Sequence, residues 1–190
     1  MANEVLVKVG TQIAFGVTAQ FNPADDGTNY VDDLTTIDVA ITLAALANAA
    51  GRQSAKADLG ATRAARYAVF AAVDFTDETP SATGTVDYYW APSGNATAAN
   101  GNVAGNSGAD AACPDGALGS IALAEFLKQC QFIGQLACHD GGSVQCGLVG
   151  VFAPCSRYGQ LIVVNNSGDA FEADDVEAHT VFDPIVDEIQ

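Results

Sequence analysis

Three short apolar runs at the C-terminal end of this chain constrain its fold more than any other feature. Val144–Ala153, Gln160–Asn165 and Val176–Phe182 are each strand-sized and rich in Val, Ile, Leu and Phe. Pro154-Cys155-Ser156 separates the first two, and Asn165-Asn166-Ser167-Gly168-Asp169 separates the last two. Pro, Asn, Ser and Gly in such clusters reverse the chain rather than extend it. The pattern predicts strands stacked in a compact all-β module.

Further strands are expected upstream. Ile37, Val39, Ile41 and Leu43 alternate with Asp38, Ala40 and Thr42. Tyr67–Phe75 is apolar on both faces, which predicts burial on both sides, as between two sheets. In Thr85–Trp90, Val86, Tyr88 and Trp90 point one way, into a core or a neighbouring subunit, leaving Tyr89 on the opposite face. Gln131–Cys138 also reads as extended, and residues 4–19 read as two short extended segments split at Gly10. Residues 44–58 are Ala-rich but carry Gly51 and a poor apolar face, so a loop or short helix is expected. Leu118–Lys128 predicts one or two helical turns, with Ser120 as the cap. Residues 93–117 form a Gly/Ala/Asn-rich stretch that predicts one long loop, functional or mobile, able to order on a partner. The fold class that follows is all-β: a two-sheet antiparallel sandwich of jelly-roll type, with eight or nine strands and little helix. An immunoglobulin-like sandwich is the alternative, but the Cys-Trp-Cys spacing is missing.

A length of 190 residues fits one well-filled core. The expected division is residues 1–35 as an N-terminal arm or first strands, and residues 36–190 as the sandwich domain. With 23 acids against 7 bases the net charge is −16, which argues against a broad nucleic-acid-binding surface. No apolar stretch reaches the ~20 residues of a membrane-spanning helix, and the start lacks a basic export signal. Four of the seven bases, Arg52, Lys56, Arg63 and Arg66, lie close together with Asp58 as the one acid among them. From Asp169 to the C-terminus there are eight acids and no Lys or Arg. Two readings follow: a solvated acidic surface with arginines in internal ion pairs, or basic-to-acidic docking that weakens with salt.

Reactive constellations are sparse. Of two histidines, His139 falls in an expected hairpin turn and His179 on the last strand, and the H-x-H arrangement of a cupin-like metal site is missing. Both are expected at the surface or in turns. No G-x-S-x-G elbow or P-loop occurs. The chain is therefore expected not to be an enzyme and to use no metal or cofactor, and the acids of 169–177 are expected to form a solvated loop. The five cysteines predict buried thiols. One specific alternative is a Cys138–Cys146 disulfide, which requires Gly141-Gly142-Ser143 to be a hairpin loop that sets the two across a ladder. Arg52, Lys56, Arg63, Arg66 and Tyr89 are the candidate partner-binding residues. Tyr88-Tyr89-Trp90 offers a sugar-stacking alternative.

Three stretches carry a resemblance: Ala65–Phe75, Tyr88-Tyr89-Trp90-Ala91-Pro92-Ser93, and Arg157–Gly168 continuing through Val181–Ile185. Together they resemble small virion proteins of tailed bacteriophages, over roughly residues 37–190. The resemblance implies a head decoration, or cement, protein made in the host cytoplasm. Such a protein binds the major capsid protein on the outer capsid surface, usually as a homotrimer, and reaches the shell through an N-terminal arm. A carbohydrate-binding module, or a fibre or tail adhesion module on the same fold, is the alternative.

Overall fold

The computed structural model describes residues 10–17, 29–31, 37–61, 63–174 and 177–185. The expected arm therefore falls largely outside the described residues, as do the first extended segment and Val176.

Two sheets pack face to face. One has the order β2(Val39–Ala40)-β1(Ile13–Gly16)-β11(His179–Ile185)-β5(Arg66–Val73)-β9(Gln145–Phe152). The other runs β7(Ala111–Cys113)-β3(Gly51–Gln53)-β10(Tyr158–Asn166)-β6(Thr85–Ser93)-β8(Gln131–Ala137), with β4(Ala57–Asp58) also on β10. Set aside the short β2, β4 and β7, and number the other eight in chain order. The sheets then read 1-8-3-6 and 2-7-4-5, which is the jelly roll. Pairing is antiparallel apart from the short β1–β2 contact, where Phe15 lies beside Val39.

Alternation along each strand supplies the interior. Tyr67, Val69, Ala71 and Val73 of β5, and Val86, Tyr88 and Trp90 of β6, are buried between the sheets. Trp90 meets Phe152 and Phe182 of the opposite sheet at centroid distances of 6.3 and 5.8 Å, and Phe182 in turn meets Phe15 at 4.7 Å. The indole N–H donates to Ser156 Oγ at 3.2 Å, so the ring is buried without orphaning its one donor. Gly159 makes room for it, since a Cβ there would come 2.5 Å from the indole. The outer face of β5 is covered differently from expectation. Phe70 lies outside the sandwich, stacked under Tyr30 at 5.1 Å, so a chain segment covers it and not a second sheet.

Two expectations of local structure give way to tertiary pairing. Residues 44–58 form turns and the strands β3 and β4, despite their Ala content. Ala45 and Ala49 adopt left-handed φ of 51° and 62°, which no helix tolerates. The helix α1(Leu123–Leu127) exists but is capped at Ala122, with no side-chain hydrogen bond, and Ser120 plays no part. It buries Phe126 against Ile162 and Val164 of β10.

Strands β8 and β9 do not form the hairpin that a Cys138–Cys146 disulfide requires. β8 pairs with β6 and β9 with β5, so the chain crosses from one sheet to the other between them. All five cysteines are free, with Cys138 buried and Cys146 exposed. The two strands are the edges of their sheets, and they close on each other through inward-facing glycines. A Cβ on Gly134 would lie 2.2 Å from the Val149 carbonyl oxygen, and one on Gly150 would lie 2.7 Å from that of Ile133. Each glycine sits by a register shift, Tyr88/Tyr89 against β8 and Val69/Phe70 against β9. Bulges of this kind bend edge strands, and here they pinch the sandwich shut.

Gly134→Ala is expected to lower stability by roughly 1–3 kcal/mol, because the methyl group has no space between two backbones. The opposite sign is expected inside the core, where the buried hydroxyls of Tyr88 and Thr180 face each other and, among the described residues, meet no partner in good hydrogen-bond geometry. Tyr88→Phe removes one such group and is expected to leave stability unchanged or raise it by about 1 kcal/mol. Urea midpoints of the two variants check both statements.

Candidate interaction surfaces

The 93–117 stretch folds back as a lid on the outer face of the β10 sheet, and its hydrogen bonds explain how so polar a segment is held. Lys56 Nζ reaches four oxygens: Ser93 Oγ at 2.8 Å, and the carbonyls of Asn95, Thr97 and Asn100 at 3.0, 2.7 and 2.7 Å. Burial pulls the Lys56 pKa down, while the ring of acceptors favours the charged form. Gln53 Nε2 donates to Asp115 Oδ2 at 2.7 Å, and the same carboxylate accepts the amides of Ser107 and Ala117 at 3.0 and 2.9 Å. Burial raises the Asp115 pKa, but these hydrogen bonds outweigh it and hold the carboxyl below its ordinary value. Asp110 closes the set, taking Arg52 at 2.6 Å and the Thr42 hydroxyl at 2.6 Å. Within the stretch, Ala111–Cys113 pairs with β3 as strand β7, which the sequence did not announce.

The expected partner-binding residues thus part company. Arg52 and Lys56 are engaged by their own chain on one side of the sandwich. Arg63 is half-buried near Asp58 and Tyr67. Arg66 is exposed at the start of β5, in the opposite sheet, in register with Ile185. Tyr89 lies on the outer face of β6, edge-on to Phe132 at 5.1 Å. Trp90 is fully buried and is no part of a sugar platform.

The outer face of the β11–β5–β9 sheet gathers most of the remaining chemistry. His179, expected at the surface, is only 1% exposed. Its Nδ1 lies 2.6 Å from the Glu177 carbonyl, and its Nε2 accepts the Tyr30 amide at 3.1 Å. That arrangement defines a neutral ring with the proton on Nδ1. The Tyr30 hydroxyl is pushed up to about 12, by burial first and then by its hydrogen bond with Cys146. Beside them, Asp74, Asp174 and Glu177 bring one carboxylate oxygen each within 4.8 Å of one another. Asp74 is buried, and its Oδ1 accepts the Thr76 amide at 2.8 Å. Its distance in sequence from the 169–177 acids left this grouping out of reach of motif reading. The described part of 169–177 is a loop, as expected, with Asp174 exposed, and the Glu172 amide on the Asp74 carbonyl ties it to the end of β5.

The pinched edge is the third surface. Phe132 on β8 is 52% exposed, and Leu148 and Val151 on β9 are 55% and 51% exposed. Cys146 and Cys155, the two exposed cysteines, lie in the same part of the chain. Burial pushes Cys138 to about 11 and Cys130 to about 12, which makes them inert thiols, but the expected burial of all five cysteines fails at Cys146 and Cys155. From Gln129 to Ser156 the chain carries one acid, Asp140, and neither Lys nor Arg. In a protein of net charge −16, that uncharged run is the sequence signal that points to this edge.

Asp115→Asn is expected to destabilise the protein by about 1–2 kcal/mol at neutral pH, since an amide NH₂ replaces an oxygen facing N–H donors. A carboxyl held below its ordinary 3.8 adds stability that is present above that pH and lost as pH falls through the folded value. The gap between Asp115→Asn and the parent protein should therefore narrow below pH ~4 in denaturant titrations. Compared with family models, with curated proteins and with solved structures, the chain matches none.

Proposed function

We propose that this protein is an adhesive structural part of a virion: a decoration protein that binds the outer surface of a tailed-bacteriophage capsid and clamps neighbouring subunits. The observation that carries the reading is the uncharged, apolar edge of β8 and β9 on a strongly acidic jelly roll. Phe132 opens on the Tyr89 face of one sheet and Leu148 and Val151 on the Phe70 face of the other, so apolar groups are exposed on both sides of this edge. Exposed apolar groups near one another mark interaction sites more often than scattered ones do. Many of the polar side chains that chemistry would need are engaged in holding the fold, as Lys56, Arg52, Asp110, Asp115 and His179 are. The resemblance of the Ala65–Phe75, Tyr88–Ser93 and Arg157–Ile185 stretches to phage virion proteins supplies the partner class. Repeated over a shell, modest contacts of this kind add up through avidity and resist internal pressure.

A carbohydrate-binding role is the second reading. It is favoured by one observation, the half-exposed Tyr89 and exposed Phe132 in edge contact on the outer face. Purified protein is expected to co-sediment with expanded capsids of the phage whose genome encodes it, and to raise their resistance to heat and chelator. Failure to bind such capsids, together with glycan retention that Tyr89→Ala abolishes, would replace the first reading with the second.

A further inference from the structure

We infer that His179 is a proton-operated clasp. While neutral, it holds residues 29–31 as a strap on the outer face of the β11–β5–β9 sheet; protonation of the ring releases the strap and uncovers Phe70. The device needs no capsid and is independent of the adhesive reading.

The two ring nitrogens dictate the switch. His179 is almost wholly buried, its Nδ1 lies 2.6 Å from the Glu177 carbonyl, and its Nε2 accepts the Tyr30 amide at 3.1 Å. An imidazolium has a donor on each nitrogen and no acceptor. A proton on Nε2 would therefore point at the Tyr30 N–H, donor against donor. The hydrogen bond is lost and the amide keeps no acceptor on that ring, which is the costly way to lose one. The Nδ1 contact survives, because that nitrogen already donates to Glu177.

The strap is short, and one residue carries most of it. Gln12 Nε2 donates to the Tyr30 carbonyl at 3.1 Å, and Val31 packs with Ala14, Ile37 and Val181. The Tyr30 ring lies stacked on Phe70 at 5.1 Å. Tyr30 thus bears both the clasped amide and the ring that covers Phe70, so loss of the first loosens the second. Phe70 is in register with Leu148, and Ala68 with Val151. Both partners on β9 are already exposed, so lifting Tyr30 makes Phe70 continuous with them.

Charges around the ring favour its protonated form. Glu177 precedes His179, and Asp74 from the end of β5 and Asp174 from the 169–177 loop bring their carboxylates together with it. From the strap, the Tyr30 ring stands 5.9 Å away, with its hydroxyl bonded to Cys146 of β9. Strand β1 has no titratable side chain, and Asp38 beyond it accepts the Ala14 amide at 2.8 Å. The one base in the described strands of this sheet, Arg66, stands at the far end beside Ile185. The closed strap excludes the imidazolium and the open strap admits it. Closure is therefore at full strength above the ordinary imidazole value of about 6.5, and weakens about tenfold per pH unit below it.

The test is hydrogen exchange of the Tyr30 amide by NMR on the full chain, read as a protection factor so that the intrinsic pH dependence of exchange cancels. From about pH 7.5 to about pH 5.5 that factor is expected to fall about tenfold. The factor for Leu161, whose amide donates to Ser54 Oγ inside the sandwich, should stay level. His179→Gln offers a side-chain oxygen to the Tyr30 amide at any pH, and should keep Tyr30 protected throughout. His139→Gln, at the exposed histidine, should behave as the parent protein does.

A Tyr30 amide unprotected at both pH values overturns the inference, as does one whose protection follows that of Leu161. An equal fall in His179→Gln overturns it too. Should that variant fail to fold, the ring-nitrogen shifts of His179 in the parent chain decide. Taking the second proton only as Tyr30 protection is lost upholds the clasp; a ring protonated on both nitrogens beside a protected Tyr30 amide sinks it.

Discussion

Contact between aromatic rings of opposite sheets is the interaction on which the rest of this structure depends. Trp90 projects from one sheet into Phe152 and Phe182 of the other, and Tyr67 and Phe15 extend the same cluster. Each ring buries a large apolar area, and none could be shielded by a single layer of strands. The second layer is therefore obligatory. Its spacing is set by those rings, and Gly159 yields the space that the indole occupies.

From that spacing follows the form of the edges. Where rings fill the interior the sheets stand apart, and where β8 meets β9 two inward glycines let the backbones touch. The sandwich tapers from a thick centre to a sealed rim. Neither strand of that rim carries a charged residue, and Phe132, Leu148 and Val151 stand exposed beside it. The opposite requirement applies to the 93–117 stretch, which has little apolar material to bury. It is held instead by one lysine and two aspartates whose hydrogen bonds replace a core.

The same logic explains which sequence expectations failed. Residues 44–58 have helical composition, but β3 has an open ladder position on β10 waiting for it, and pairing prevails over propensity. Cys138 and Cys146 flank a short loop, yet a jelly roll sends the chain across the sandwich at that point, so nearness in sequence becomes separation between sheets. Arg52, Lys56, Arg63 and Arg66 are near in sequence, but Arg52 lies in β3 of one sheet and Arg66 opens β5 of the other. The strands carry them to different faces. The carboxylates of Asp74, Asp174 and Glu177 meet for the converse reason, as the 169–177 loop returns over the end of β5.

The sequence by itself determined the class of the fold, because alternation with period two and turn residues at the ends of each run are local properties. It placed Val86, Tyr88 and Trp90 on one face with Tyr89 opposite, and those side chains stand that way. It also determined the net charge and the uncharged run from Gln129 to Ser156, which no folding step can alter. Only the tertiary structure decided which strands are neighbours, which charges are consumed internally, and that the uncharged run lies at the closed edge. Those outcomes turn on contacts between residues far apart in the chain, and no local pattern encodes which distant partner a strand will find.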